Sequence, residues 1–250
     1  MIPIKTDKEL QLMRTGGKIL SEILSETGEL LEEGMTTLDV EMRIRKMLRN
    51  KRVKSPFFGY RGYPSASCIS VNEEVVHGIP SKKIIKNGDI VSVDLGVTYK
   101  GYNTDAARTF IVGICDEESS KLVSATREAF FAGAKMAVEG NCLYDISSEI
   151  ERVISARNFT LVREFVSHGV GRELHEEPFF VNFGKRNTGP KLKKNMTLAI
   201  EPMVNAGVYN VRILEDGWTA VTADRKRSAH YENTVAVKEN ECEILTENKE

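Results

Sequence analysis

Two aspartates stand close together in the stretch from Gly88 to Gly113, GDIVSVDLGVTYKGYNTDAARTFIVG. Val91, Val93, Leu95 and Val97 alternate with Ser92, Asp94 and Gly96, which predicts a strand with one apolar face and one polar face that carries Asp94. Tyr99-Lys100-Gly101 reads as a turn, and the run ending in Thr109-Phe110-Ile111-Val112 as the returning strand of a hairpin. A loop centred on Tyr99-Lys100 sets Asp105 directly opposite Asp94 on the same face, where cross-strand side chains stand roughly 5 Å apart. Two carboxylates that close repel by about 3–4 kcal/mol at an effective dielectric of about 20, an arrangement that asks for a cation. Taken alone, the pair is either half of a cation site or two solvated residues on the wet face of a hairpin.

Further donors follow later in the chain. In VSHGVGRELHEEP, His168 and His175 are separated by a segment whose Gly169 and Gly171 argue against a helix. Their odd spacing would put them on opposite faces of a straight strand, so both can serve one site only across a bend. The runs LAIEP and SAHYENTVAV place Glu201 and Glu232 at the ends of strand-like segments. Asp94, Asp105, His168, Glu201 and Glu232 form the oxygen and imidazole donor set that paired divalent cations use, and four carboxylates neutralise two such ions.

The elements that must position these residues come in two similar sets. Thr6 and Glu9 spell a capping box, followed by Leu10, Met13, Leu20, Ile23, Leu24, Leu30 and Leu31 near helical spacing, with Gly34 as the stop. A second helix starts at Thr37 and buries Val40, Ile44, Met47 and Leu48. A stretch rich in glycine, proline and aromatic residues holds a short strand, Cys68-Ile69-Ser70-Val71, and a turn at His77-Gly78-Ile79-Pro80. Beyond the hairpin a long helix runs through Leu122, Ala125, Ala129, Phe130, Gly133, Met136 and Ala137 to Gly140, and a shorter one through Ile146, Ile150, Val153 and Ile154. Glu33-Gly34 to Asp39-Val40 mirrors Glu139-Gly140 to Asp145-Ile146, and KKIIKNGDIVSVDLG aligns with GPKLKKNMTLAIEPM, laying Glu201 over Asp94. The chain therefore reads as one compact domain over residues 1–250, with duplicated halves of about 1–113 and 114–250, and acidic residues of both meeting on one shared sheet.

Composition narrows the class. With 250 residues the chain can bury a full core, and its 35 basic and 36 acidic side chains argue against a polyanion-binding protein. No apolar run reaches bilayer length, and the opening MIPIKTDKEL lacks a hydrophobic signal core, so a cytoplasmic location with no membrane partner is expected. The four cysteines lack C-x-x-C spacing and fit unpaired thiols.

In combination, GYPSASCISVNEEVVHGIP, the Asp94 to Asp105 hairpin, SHGVGRELHEEP, MTLAIEPMVNAG and SAHYENT resemble the type I methionine aminopeptidases from the first helix to Ile244. The resemblance implies an α+β pita-bread fold, with two pseudo-symmetric halves, a curved antiparallel sheet and helices outside. It implies that Asp94 binds one of two divalent metal ions, that Asp105 and Glu232 bridge both, and that His168 and Glu201 hold the other. The metal would be Mn, Fe, Co or Zn, because each accepts mixed carboxylate and imidazole ligation. His77 and His175 would contact the substrate and the developing oxyanion, with Glu201 as proton shuttle. Phe57, Tyr60, Tyr63, Cys68, Leu174 and Trp218 would line the methionine pocket. Three positions depart from the family: Phe57 where cysteine is common, Leu174 where phenylalanine is common, and His230 in place of glutamine.

The implied reaction is metal-dependent removal of the initiator methionine from nascent chains whose second residue is small and uncharged. The implied partner is the N-terminal methionine of peptides and nascent chains, met by a monomer, with the ribosome as a further candidate and no specific nucleic acid. Prolidases and aminopeptidases P resemble the same metal set, but they carry a large domain ahead of the catalytic half, where this chain has about two helices before its first motif. A non-catalytic pita-bread binding module is the alternative from another class.

Overall fold

A computed structural model describes residues 2–247. Thr6 opens helix α1 (Asp7–Leu30) with the expected capping box, its hydroxyl accepting from the Glu9 N–H while the Glu9 carboxylate accepts from the Thr6 N–H. Thr36 and Asp39 repeat the device at the start of α2 (Thr37–Lys51). The first half continues through β1 (Cys68–Val71), β2 (Glu74–Val76), β3 (Ile90–Tyr99) and β4 (Tyr102–Ile111). The second half has α3 (Glu117–Ala134), α4 (Leu143–Ala156), β5 (Thr160–Leu161), β6 (Ser167–Gly169), β7 (Glu176–Phe180) and β8 (Thr197–Ile200). It closes with β9 (Met203–Asn205), β10 (Val211–Ile213), β11 (Ala220–Thr222), β12 (Ser228–His230), β13 (Glu232–Ala236) and β14 (Glu243–Ile244).

Strands β1, β3, β4, β13, β8, β6 and β7 join in that order into one curled sheet, with β14 added on β13. Every pairing is antiparallel. Two small sheets, β10-β11-β2 and β12-β9-β5, flank it. The halves meet where β4 pairs with β13. Each half has its own core: Leu20, Ile23, Val40 and Ile44 of α1 and α2 pack on Val91, Val93, Leu95 and Val97, whereas Leu122, Phe130, Ile146 and Ile150 of α3 and α4 pack on Leu198, Ile200 and Val235. Burying each such aliphatic chain contributes about 1.5–3 kcal/mol, and the period-two alternation then sends Asp94, Glu201 and Glu232 to the other side of the sheet. Among the described residues no helix is long and apolar enough to cross a membrane.

Both long helices end earlier than their apolar spacing predicts. α1 stops at Leu30 rather than near Gly34, because the chain leaves the helix to pair Thr36 with Ile84, and the Gly34 N–H donates to the Ile85 carbonyl. α3 stops at Ala134 rather than Gly140 for the matching reason: Cys142 pairs with Lys191, and the Gly140 N–H donates to the Leu192 carbonyl. Long-range backbone pairing overrides helix propensity at both places, and the two junctions are structural copies. The segment His77–Pro80 is irregular, with His77 itself in left-handed backbone at φ 60°.

The hairpin turn is Lys100-Gly101, both with positive φ (48° and 81°), and Tyr99 pairs with Tyr102. Turns of this kind need φ > 0 at both central positions, which glycine supplies and tyrosine resists, so the loop lies one residue beyond the expected centring. Asp94 consequently faces Ala107, and Asp105 faces Gly96. The two-residue change of register preserves the shared face and makes the aspartates diagonal neighbours instead of direct ones.

The loop leading into β1 hangs on one buried carboxylate that the apolar stripe of α2 does not announce. Glu41, 1% exposed, accepts from the Ala66 N–H at 2.7 Å, from the Ser67 N–H at 3.1 Å, from the Ser67 hydroxyl, and from the Arg45 guanidinium at 2.6 Å. Glu41→Ala strands two buried N–H groups, and we expect it to lower stability by about 2–4 kcal/mol. Urea unfolding checks this; an unchanged midpoint would show that the loop is anchored elsewhere.

Candidate metal centre

Two rows of side chains cross the polar face of the sheet. One runs Cys68, Asp94, Ala107, Glu232, each residue directly opposite the next on the neighbouring strand. Continuing the pairing of Asn233 with Ile200 sets Glu201, the first residue beyond β8, opposite Glu232. The parallel row holds Gly96 beside Asp105 and, on the far half, Thr234, Ala199 and His168. Where β4 and β13 part, the Thr234 hydroxyl accepts from the Asp105 N–H at 2.8 Å and donates to the Asp105 carbonyl at 2.9 Å. Glycine and alanine between the functional side chains leave room above the sheet. A Cβ on Gly96 would stand 2.9 Å from the Phe57 ring, so only glycine lets Phe57 lie over this row.

The rows converge on a cluster of donors. Asp105, His168 and Glu232 present ligand atoms all within 4.8 Å of one another, and Glu201, His230 and Glu232 do the same. His168 Nε2 lies 3.4 Å from Glu201 Oε1, which links the two triads. Asp94 falls outside both triads, held one strand away from Glu232 by Ala107. The departure at His230 leaves two expectations open, an extra imidazole near the metals or a ring that hydrogen-bonds within its strand; its Nε2 lies among the donors and has no hydrogen-bond partner.

The electrostatics of the cluster call for cations. Asp94 Oδ1, Asp105 Oδ1 and Glu232 Oε1 are buried without a hydrogen-bond partner. Burial pushes Asp105 up to about 7. It raises Asp94 well above the usual carboxylate range, helped by the charge of Asp105. Burial also raises Glu201 and Glu232, with the other carboxylates adding to both shifts. Buried carboxylates carry unpartnered oxygens at a cost unless something positive is placed among them, so the donor set fits divalent metal.

The histidines are prepared for the same task. Burial pushes His168 down to about 4, leaving its ring neutral at physiological pH. Its Nδ1 lies 2.8 Å from the Gly169 carbonyl, which can only accept, so Nδ1 carries the proton and Nε2 turns a lone pair to the carboxylates. A bulge between His168 and Gly169 and the tight Val170–Leu174 connection supply the expected bend, bringing the His168 and His175 rings to 4.3 Å. A Cβ on Gly169 would meet the Glu177 carbonyl oxygen at 2.3 Å, so the bend requires glycine there. Burial lowers His175 to about 3 and His77 to about 4. His175 Nδ1 is 2.7 Å from the Tyr60 hydroxyl, which ties this ring to the pocket wall.

All of the donor, histidine and pocket residues expected from the sequence line one cavity of about 350 Å³. Phe57, Tyr63, Cys68 and Leu174 form an apolar cluster, with Tyr60 and Trp218 packed against it. Tyr63 and Trp218 meet edge to face at 5.0 Å. Tyr60 thus serves His175 as well as the wall. The sequence reading missed Phe165, whose ring stands edge-on to His77 at 5.2 Å, together with Arg61 and Glu164 at the mouth. Phe165 precedes His168 in the strand approach, and that proximity is the only mark it carries in the sequence.

A curled antiparallel sheet with helices outside, duplicated halves and an acidic, imidazole-bearing centre at their junction describes a class of metallopeptidases. The model of metallopeptidase family M24 matches residues 11–239, and the chain belongs to that family. It is 49% identical to the methionine aminopeptidase of Clostridium perfringens, over 98% of this chain and 99% of that protein. The crystal structure of methionine aminopeptidase from Thermotoga maritima superposes with a TM-score of 0.97 at 48% identity, covering 99% of this chain and 100% of that one. The prolidase from Pyrococcus furiosus has a TM-score of 0.79 at 23% identity, covering 99% of this chain and 66% of that one, a likeness of fold alone.

Asp105 tests the cation argument with opposite signs in two states. A carboxyl whose folded pKa lies above its unfolded value, about 3.9 for aspartate, stabilises less as pH rises, so the metal-free protein should lose stability between about pH 4 and pH 7. Asp105→Asn should flatten that decline while abolishing the rise in Tm on adding Mn²⁺. Thermal unfolding across pH, with and without Mn²⁺, measures both; an unaltered metal-induced rise would contradict the assignment.

Proposed function

We propose that this protein removes the N-terminal methionine of peptides and nascent chains when the second residue is small and uncharged. The observation that carries the reading is the continuity of one cavity. An apolar, aromatic pocket holding the sulfur-bearing Cys68 shares one cavity with the carboxylate and imidazole cluster. An unbranched thioether fills such a pocket and delivers its carbonyl to the charged centre. Kinship with enzymes named for this activity supports the reading.

In this proposal Asp94, Asp105, His168, Glu201 and Glu232 would hold two divalent ions, with Mn, Fe, Co and Zn as the candidates. When bound, they supply an activated water at neutral pH and polarise the scissile carbonyl. Glu201 takes a proton from the attacking water and passes it to the leaving amine. His77 and His175, neutral through burial, each offer an N–H to the developing oxyanion or the scissile amide. Tyr60 holds the His175 ring at its other nitrogen. Phe57, Tyr63, Cys68, Leu174 and Trp218 bind the methionine side chain. We assign the activity to residues 1–250 as one catalytic domain whose halves meet near residue 113. We place it in the cytoplasm as a monomer, with the ribosome as a candidate contact. The unpaired cysteines and the balanced charge support that setting.

The two histidines of the bent loop should separate cleanly. His168→Ala removes a ligand, so metal binding by calorimetry weakens and excess metal restores part of the activity. His175→Ala leaves metal affinity near that of the unaltered protein and lowers kcat by about 100-fold, the loss typical of one oxyanion donor. If His175→Ala loses metal and His168→Ala keeps it, the two roles must be exchanged.

Substrate choice follows from crowding. Tyr60, Tyr63 and Trp218 close around the methionine and leave little space beyond the scissile bond. Met-Ala-Lys should be cleaved far faster than Met-Lys-Ala at equal concentration, because a long second side chain clashes as the substrate docks. Equal rates would reject the methionine-first reading of the pocket.

A further inference from the structure

His230 is an imidazole beside the centre to which the reading above gives no task. It ends β12, two residues before Glu232, so the alternation of an extended chain sends both side chains the same way. Its backbone is fixed independently of its ring. The His230 N–H donates to the Thr109 hydroxyl at 2.9 Å, the Thr109 hydroxyl lies 2.8 Å from the His230 carbonyl, and the strand pairs with β9 through Met203. The residue is only 1% exposed, and Nε2 has no hydrogen-bond partner. That nitrogen stands 3.7 Å from Glu201 Oε2 and 3.9 Å from Glu232 Oε2.

These separations discriminate between two roles. A ring N–H donating to a carboxylate would lie at about 2.7–3.2 Å, and a buried nitrogen left without that bond is a cost with no return. Donors that share a metal ion, each about 2.1 Å from it, stand about 3–4 Å apart for ligand angles of roughly 90–140°. The spacing of His230 to both glutamates is that of co-ligands.

We propose that His230 Nε2 is a direct metal ligand, completing a Glu201, His230 and Glu232 donor set, so that this centre holds its ions with two imidazoles, His168 and His230, instead of one. The ligand atoms of that set all lie within 4.8 Å of one another. A second imidazole makes the site softer. It therefore favours Zn²⁺ and Co²⁺ over Mn²⁺ more strongly than a centre with glutamine at this position. The proposal rests on the metal-dependent reading of the site, and its test separates the two.

X-ray absorption of the chain loaded with two Co²⁺ ions counts imidazoles directly. The expected count is two per chain in the unaltered protein and one in His230→Gln, which carries the residue common in the resembled family and preserves the shape of the position. His168→Gln should also retain one. In calorimetry, His230→Gln should lose Co²⁺ and Zn²⁺ affinity by tenfold or more, on the scale of disturbing a ligand's own support, while Mn²⁺ affinity falls by less. A count of one imidazole in the unaltered protein overturns the role of His230 without appeal to any variant and leaves the metallopeptidase reading standing. Unchanged Co²⁺ titration in His230→Gln overturns it as well. Failure of the unaltered protein to bind any divalent ion overturns both.

Discussion

Mutual repulsion among four carboxylates is the constraint around which the molecule is arranged. Asp94, Asp105, Glu201 and Glu232 come from four different segments, and three of them present buried oxygens with no protein donor. Among the described residues no lysine or arginine forms an ion pair with any of the four. Arg108 lies close by, but its guanidinium is committed to the Glu232 carbonyl at 2.6 Å and the Asn233 side chain at 2.7 Å, and lies over the Tyr231 ring. It fixes the backbone beneath the site and leaves the carboxylates to something else. A fold that gathers charge this way is incomplete as protein alone, and that incompleteness is the source of its affinity for cations.

Duplication makes the gathering affordable in structural terms. Each half closes its own core of helices on strands, so neither depends on the charged seam for its hydrophobic stabilisation. The seam is the β4–β13 pairing, where the ladder gives way after two residue pairs and the Thr234 hydroxyl takes over. Strand alternation does the rest. Val91, Val93, Leu95, Leu198, Ile200 and Val235 face the helices, whereas Asp94, Ala107 and Glu232 stand in one row on the opposite face.

How far the sequence could be read depended on how local the deciding forces were. The capping box at Thr6, the β3 alternation and the partition of His168 and His175 by glycines are written in neighbouring residues, and each appears in the fold. The helix ends were misplaced because Gly34 and Gly140 are fixed by backbone partners about fifty residues away, at Ile85 and Leu192. The hairpin register slipped because Tyr99-Lys100-Gly101 allows two centrings, and only the demand for positive φ at both turn positions selects one. Glu41 and Tyr60 act through partners distant in the chain, and nothing beside them in the sequence points to those partners.

The remaining question is how one cavity serves an apolar side chain and a highly charged centre. Cys68 and Asp94 are direct cross-strand neighbours, so the pocket floor and the metal cluster are consecutive members of one row. Burial raises the Cys68 thiol, assisted by the charge of Asp94, which keeps the sulfur neutral and the floor apolar. The same dehydration that keeps the pocket apolar lowers the effective dielectric around the carboxylates, strengthens their demand for cations, and holds His77, His168 and His175 in the neutral form. On the far side, buried Lys5 pairs with Glu176, next to His175, and ties the start of the chain to the bent histidine loop. Dryness is thus a property shared by both ends of the cavity. A change that admits water at the pocket wall should therefore be felt at the charged centre through the same dielectric, even where no ligand is touched.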